Sequence, residues 1–201
     1  MTLKSFAILG ERCSGTNYLS KLLEINFELS NVNNKCCRNK HWFPWKHTPL
    51  MSNCLFVGIS RQYDDWLASL YRNPWHLEPS CCDSWESLNS KPIRSYSGVN
   101  SMFVNRDTRW RSGLEKPCVN NLIEEHADIR ELRDTKLKYL TQQAKHDFPY
   151  YFYIEYEYLR DNWKEVLLDL QKQFNLSVTE RFPCNWLYYK DTNQLWERSQ
   201  N

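Results

Sequence analysis

At 201 residues and a formal net charge of +2, the chain has the length of one domain and too little charge to favour a polyanion or a membrane surface. Its hydrophobic content of 41% can build a core, yet no apolar run approaches the roughly 20 residues of a membrane span. The first residues lack the charged-then-apolar pattern of a secretory signal, so the expected location is the cytoplasm, with no nucleic-acid partner and no membrane span in this chain.

In chain order, Phe6-Ala7-Ile8-Leu9 reads as a short strand that enters the polar loop Gly10-Glu11-Arg12-Cys13-Ser14-Gly15-Thr16-Asn17. A helical apolar pattern follows at Tyr18, Leu19, Leu22 and Leu23 and runs to about Phe27. Strand, tight loop and helix N-terminus together suit an anion, because backbone N–H groups there lack intrahelical partners and the helix dipole is positive. Gly15 allows close approach, Ser14 and Thr16 offer hydroxyls, and Arg12 adds charge. The same residues also suit an ordinary helix capped by Ser14 or Thr16. The loop is not a Walker motif, since no lysine stands between a glycine and a Ser/Thr.

Residues 29–39 are Asn-rich and read as irregular. Lys40-His41-Trp42-Phe43-Pro44-Trp45-Lys46-His47 then sets two Lys-His pairs among aromatics, and Pro44 and Pro49 argue against a helix. Residues 54–59 are a continuous apolar run, expected as a strand buried on both faces in a parallel sheet. Ser60-Arg61 ends it. A helix begins near Asp64 or Asp65, with Trp66, Leu67, Leu70 and Tyr71 on one face, and stops at Asn73-Pro74. Residues 75–117 mix Pro, Ser, Asn and Cys with aromatics. They read as an irregular insertion with a short helix near residues 82–88.

Residues 120–145 read as a charged helix carrying Leu122, Ile123, His126, Ile129 and Leu132. Residues 150–156 read as a strand and residues 159–174 as an amphipathic helix with Trp163, Val166, Leu167, Leu170 and Phe174. No pattern assigns residues 181–201. The eight cysteines include two adjacent pairs, Cys36-Cys37 and Cys81-Cys82, and neither matches CxxC zinc spacing. Reduced thiols and no metal site are expected. A set of Cys36, Cys37, His41 and His47 is the remaining metal alternative.

Strands alternating with helices point to an α/β fold with a mostly parallel sheet flanked by helices. Ligands in such sheets sit beyond the carboxyl ends of the strands. The reading is one domain, residues 1–201, with the aromatic-rich insertion at about 75–117.

Three stretches together resemble the sulfotransferases that use 3′-phosphoadenosine 5′-phosphosulfate (PAPS). The first is Arg12-Cys13-Ser14-Gly15-Thr16-Asn17 after the first strand. The second is Arg61 at a strand end with Ser69 eight residues later. The third is Tyr156-Glu157-Tyr158-Leu159, opening a late helix. The resemblance spans most of the chain in the family's order. It implies a P-loop NTPase-like fold without Walker lysine, PAPS as co-substrate, no metal, and transfer of a sulfuryl group to an acceptor hydroxyl, expected on a carbohydrate. It further implies that Arg12, Cys13, Ser14, Gly15, Thr16 and Asn17 hold the 5′ end, and that Arg61 and Ser69 hold the 3′-phosphate. Lys190 is a further candidate there.

Sulfuryl transfer needs positive groups and donors at the developing oxyanions, and a base near the acceptor. His41 is the expected base, with Lys40 and Arg12 as stabilisers. His47 and Lys46 are the reserve pair, and His76 and Glu11 are further possible bases. The chain departs from the family at Cys13, where the loop's basic residue usually stands, and in lacking a Gly/Lys-rich motif near its C-terminus. A non-catalytic nucleotide- or glycan-binding module is the alternative. A P-loop kinase ranks below it, for want of the lysine.

Overall fold

The computed structural model describes residues 2–33, 52–74, 77–96 and 122–185. In chain order its elements are β1 (Ser5–Gly10), α1 (Thr16–Asn26), β2 (Ser30–Asn31), β3 (Cys54–Ser60) and α2 (Tyr63–Arg72). A 3₁₀ turn (Pro79–Cys81), α3 (Trp85–Ser90), β4 (Ile93–Tyr96), β5 (Leu122–His126) and α4 (Ile129–Lys138) follow. A π turn (Tyr139–Gln143) leads into α5 (Ala144–Asp147), β6 (Tyr151–Glu155), α6 (Tyr156–Asp161) and α7 (Trp163–Phe174). The chain divides into two compact units, Met1–Arg61 with Leu140–Asn201, and Gln62–Tyr139.

The first unit is built on a parallel sheet of order β2-β1-β3-β6. Every residue of β3 is buried, as the unbroken apolar run predicts for a central parallel strand. Side chains alternate across a strand. Phe6, Ile8, Leu55, Val57 and Ile59 therefore share a face, and they pack with Leu19, Leu22 and Leu23 of α1 and Val166, Leu167 and Leu170 of α7. Each such side chain, once fully buried, contributes about 1.5–3 kcal/mol. Phe56 points to the other face, where Phe148 stacks on it with ring centroids 3.8 Å apart. The fold is thus α/β, with a four-stranded parallel sheet flanked by helices.

Three local expectations are corrected. Residues 30–31, read as irregular, form β2 beside β1. Asn33 extends that edge with its side chain: Ile8 N donates to Asn33 Oδ1 (3.1 Å) and Asn33 Nδ2 donates to Ile8 O (2.7 Å). The amide side chain satisfies backbone groups that a third strand residue would otherwise meet. Residues 93–96 and 122–126 are not insertion coil and helix but the antiparallel pair β4–β5, with Arg94 opposite Glu125. Their side chains form an ion pair at 2.8 Å. The helix starts only at Ile129, because Asp128 accepts from Arg130 N and Glu131 N and so caps it there. The helix read over residues 159–174 begins earlier and is two helices, parted at Asn162 (φ −124°, ψ 30°).

The segment after α7 is tied to the end of α1. Thr179 Oγ1 donates to Ile25 O (2.6 Å), Cys184 N donates to Asn26 Oδ1 (2.7 Å) and Asn26 Nδ2 donates to Cys184 O (2.8 Å).

Candidate anion-binding site

The sheet order reverses at β1, which has β2 on one side and β3 on the other. Crevices that bind ligands in open α/β sheets lie at such a reversal, outside the carboxyl ends of the strands. Here those ends are level: Gly10 pairs with Ile59, and Ile59 with Ile154. The residues that follow each end, the loop from Glu11 to Gly15, then Ser60 and Arg61, then Glu155, Tyr156 and Glu157, therefore leave the sheet together.

The loop's path is set by two left-handed residues, Cys13 (φ 61°) and Gly15 (φ 87°). Gly15 is the N-cap of α1, with Leu19 N donating to its carbonyl at 3.0 Å. No side chain caps this helix and its first turn contains no acidic residue. A Cβ at position 15 would run into the Tyr156 ring, so the glycine is required by backbone conformation and by space alike. Successive turns of this kind aim N–H groups inward and, with the helix dipole, favour an anion.

The side chains of the loop divide into those spent on the fold and those left at the surface. Ser14 is fully buried, and its hydroxyl donates to Glu11 O at 2.7 Å, with Ile59 O at 3.4 Å. That hydroxyl is bonded to the backbone, and Ser14 so shapes the loop. Thr16 is buried against Gly10, where an added Cβ would come within 2.7 Å of Thr16 Cγ2. Glu11 and Arg12 are also buried, at 3% and 4% exposure. Cys13 is half-buried and Asn17 is exposed.

Arg61 comes to the loop from the end of β3. Its Nη1 donates to Cys13 O at 3.4 Å, its Nε lies 3.8 Å from Glu157 Oε1, and its Cζ lies 5.1 Å from the centre of the Tyr156 ring. The Arg61 and Glu157 side chains are 22% and 14% exposed. Next to it, Ser60 Oγ and Tyr153 Oη are hydrogen-bonded at 2.6 Å. Tyr18, on the first turn of α1, meets Tyr156 edge to face at 6.3 Å. Burial raises the Tyr18 pKa and keeps its hydroxyl neutral, against the opposing hydrogen bond to Asn185.

Of the site residues expected from sequence, Arg12, Cys13, Ser14, Gly15, Thr16, Asn17 and Arg61 all belong to the first unit. Arg61 meets the loop directly. Ser69 lies half-buried on α2 in the second unit. His41, Lys40, His47, Lys46, His76 and Lys190 fall outside the described residues. The readings of those as base, stabiliser and 3′-phosphate ligand therefore have no geometry here. Tyr156 and Glu157, which enter the sequence reading only within the third stretch, are in contact with Arg61. The signal in the sequence is their place where the strand read over residues 150–156 gives way to a helix.

No protein-family model matches the chain, and no curated protein matches it. The likeness to the sulfotransferases rests on the residues of this chain. No helix among the described residues is long and apolar enough to cross a membrane. The arrangement can hold a phosphate or sulfate ester on backbone N–H groups, with a guanidinium alongside, and it can stabilise negative charge developing there.

Proposed function

We propose that the chain is a PAPS-dependent sulfotransferase that moves a sulfuryl group to an acceptor hydroxyl, on a carbohydrate, and that its sheet is the core of a P-loop-like sulfotransferase fold. The observation that carries this reading is a glycine-capped helix N-terminus, free of acidic residues, at the carboxyl end of β1, with Arg61 reaching its loop from β3. The absence of a Walker lysine fits a donor that needs no metal-bound γ-phosphate. In this reading the first turn of α1 receives the 5′-phosphosulfate. Arg61 receives the 3′-phosphate, and Ser69 stays a candidate on the motif's spacing alone. His41 with Lys40 serves the acceptor side, again on the motif alone.

A second reading, a nucleotide- or glycan-binding module without catalysis, is favoured by one feature. Cys13 stands where the family carries a base, and the neighbouring Arg12 is only 4% exposed. Calorimetric titration with adenosine 3′,5′-bisphosphate and adenosine 5′-phosphate tests both. The sulfotransferase reading expects the bisphosphate to bind at least tenfold tighter, a difference of about 1.4 kcal/mol, and Arg61→Ala to erase that preference. Equal affinities would sink it. Tight bisphosphate binding with no label transferred from PAPS to any member of a glycan panel would leave the binding module.

A further inference from the structure

Tyr156 and Glu157 open α6 directly after β6, and both reach Arg61. The guanidinium is bounded by an aromatic face, by a carboxylate at Nε, and by the Cys13 carbonyl at Nη1. The Tyr156 ring also fills the space next to Gly15 and packs on Tyr18. One ring therefore sets the height of the glycine turn and of the cation that serves it. Glu157 has a matching logic. A carboxylate beside an anion site repels the ligand unless its charge is paired with a cation, and Arg61 is that cation. Arginine has a long, rotamer-rich side chain, and fixing it before the ligand arrives removes an entropy cost from binding.

We propose that Tyr156 and Glu157 are positioning residues of the anion site, acting through Arg61, an inference that rests on reading the loop as an anion site. Tyr156 holds the guanidinium plane through its ring face, not its hydroxyl. Glu157 holds the guanidinium charge beside the loop that leads into α1.

A double-mutant cycle on the full chain tests this, with inorganic pyrophosphate as the probe at low salt and calorimetry as the readout. Glu157→Gln and Tyr156→Leu are each expected to weaken pyrophosphate roughly tenfold when Arg61 is present. In an Arg61→Lys background, which keeps a charge but lacks the planar fork, each is expected to change affinity by less than about twofold. Tyr156→Phe keeps the ring face and is expected to bind as the parent chain does.

Equal losses in the two backgrounds would show that the ring acts on the loop alone, and would overturn the proposal. So would tighter binding by Glu157→Gln in both backgrounds, which marks the carboxylate as a repelling charge only. If Tyr156→Leu does not fold, the Glu157→Gln cycle decides. Failure of the sulfotransferase reading looks different: pyrophosphate binds and the cycle couples, but adenosine 3′,5′-bisphosphate gains nothing over adenosine 5′-phosphate. A parent chain that does not bind pyrophosphate overturns the positioning role.

Discussion

In the parallel sheet the chain runs from strand through turn to helix at β1–α1 and at β3–α2, and finishes these two turns differently. α1 starts at a left-handed glycine, with no side-chain cap and no acid in its first turn. α2 starts at Gln62 with φ −55°, and its first turn holds Asp64 and Asp65. Carboxylates in a first turn already use the positive end of the dipole. Neither helix start has a side-chain cap, so the two turns differ in the charge of the first helical turn: it carries two carboxylates at α2 and none at α1. Arg61, although it precedes α2 in sequence, donates to the first turn at Cys13. A first turn without carboxylates thus separates α1 from α2, which the strand-turn-helix pattern does not, because the pattern occurs at both places.

The contrast should be sharpest for alanine at the two caps. Gly15→Ala is expected to cost about 2–5 kcal/mol in urea unfolding, from left-handed strain and collision with the Tyr156 ring. Gln62→Ala is expected to stay within about 0.5 kcal/mol. Comparable costs at the two positions would break the comparison.

The strand feeding the first turn depends on a side chain for its edge. Asn33→Ala leaves Ile8 N and O without their amide partners in a buried place. It should cost about 1–3 kcal/mol by the same measurement.

The strand feeding the second turn passes under Tyr151, whose hydroxyl donates to Leu140 O at 2.6 Å and lies over Gly58. Burial, and behind it the neighbouring Tyr153, raises the Tyr151 pKa well above the ordinary tyrosine value. The unfolded chain therefore loses this proton first. The stability contributed by the neutral hydroxyl is full below about pH 10 and is lost as the pH climbs through the raised value. Tyr151→Phe should flatten that decline in a pH series of unfolding curves, and should cost about 1 kcal/mol at neutral pH for the lost hydrogen bond.

The smallest effects come from exchanging charge between the two helix starts. Asn17→Asp should stabilise the fold by about 0.3–1 kcal/mol while weakening pyrophosphate, and Asp64→Asn should destabilise it by a similar amount. If Asn17→Asp left anion affinity unchanged, the first turn of α1 would not be the place where the anion sits.

Much of this architecture was legible residue by residue. The apolar run over residues 54–59 reads as a doubly buried strand because a central parallel strand has no solvent face, and β3 is buried throughout. The helix after the opening loop was legible from the spacing of Leu19, Leu22 and Leu23, which all lie in the core. Residues 122–126, read as helix, form β5 instead. Their helical spacing of apolar residues is overridden by pairing with β4 and by Asp128, whose carboxylate starts the helix two residues after the strand. β2 was illegible because a two-residue strand has no period, and its edge is completed by the Asn33 side chain.

Sequence alone determined the local plan of the site: a strand, a turn with glycine and hydroxyls, a helix, and an arginine at the end of a second strand. Those are properties of neighbouring residues, set by backbone sterics and by burial of periodic side chains. Only the tertiary structure decided what each side chain is used for. It turned the Ser14 proton to Glu11 O, buried Arg12, and brought Arg61, Tyr156 and Glu157 to the loop. The reason is register. Arg61 and Glu157 are far apart in the chain, and only the level pairing of β1, β3 and β6 brings their strand ends to the same edge of the sheet.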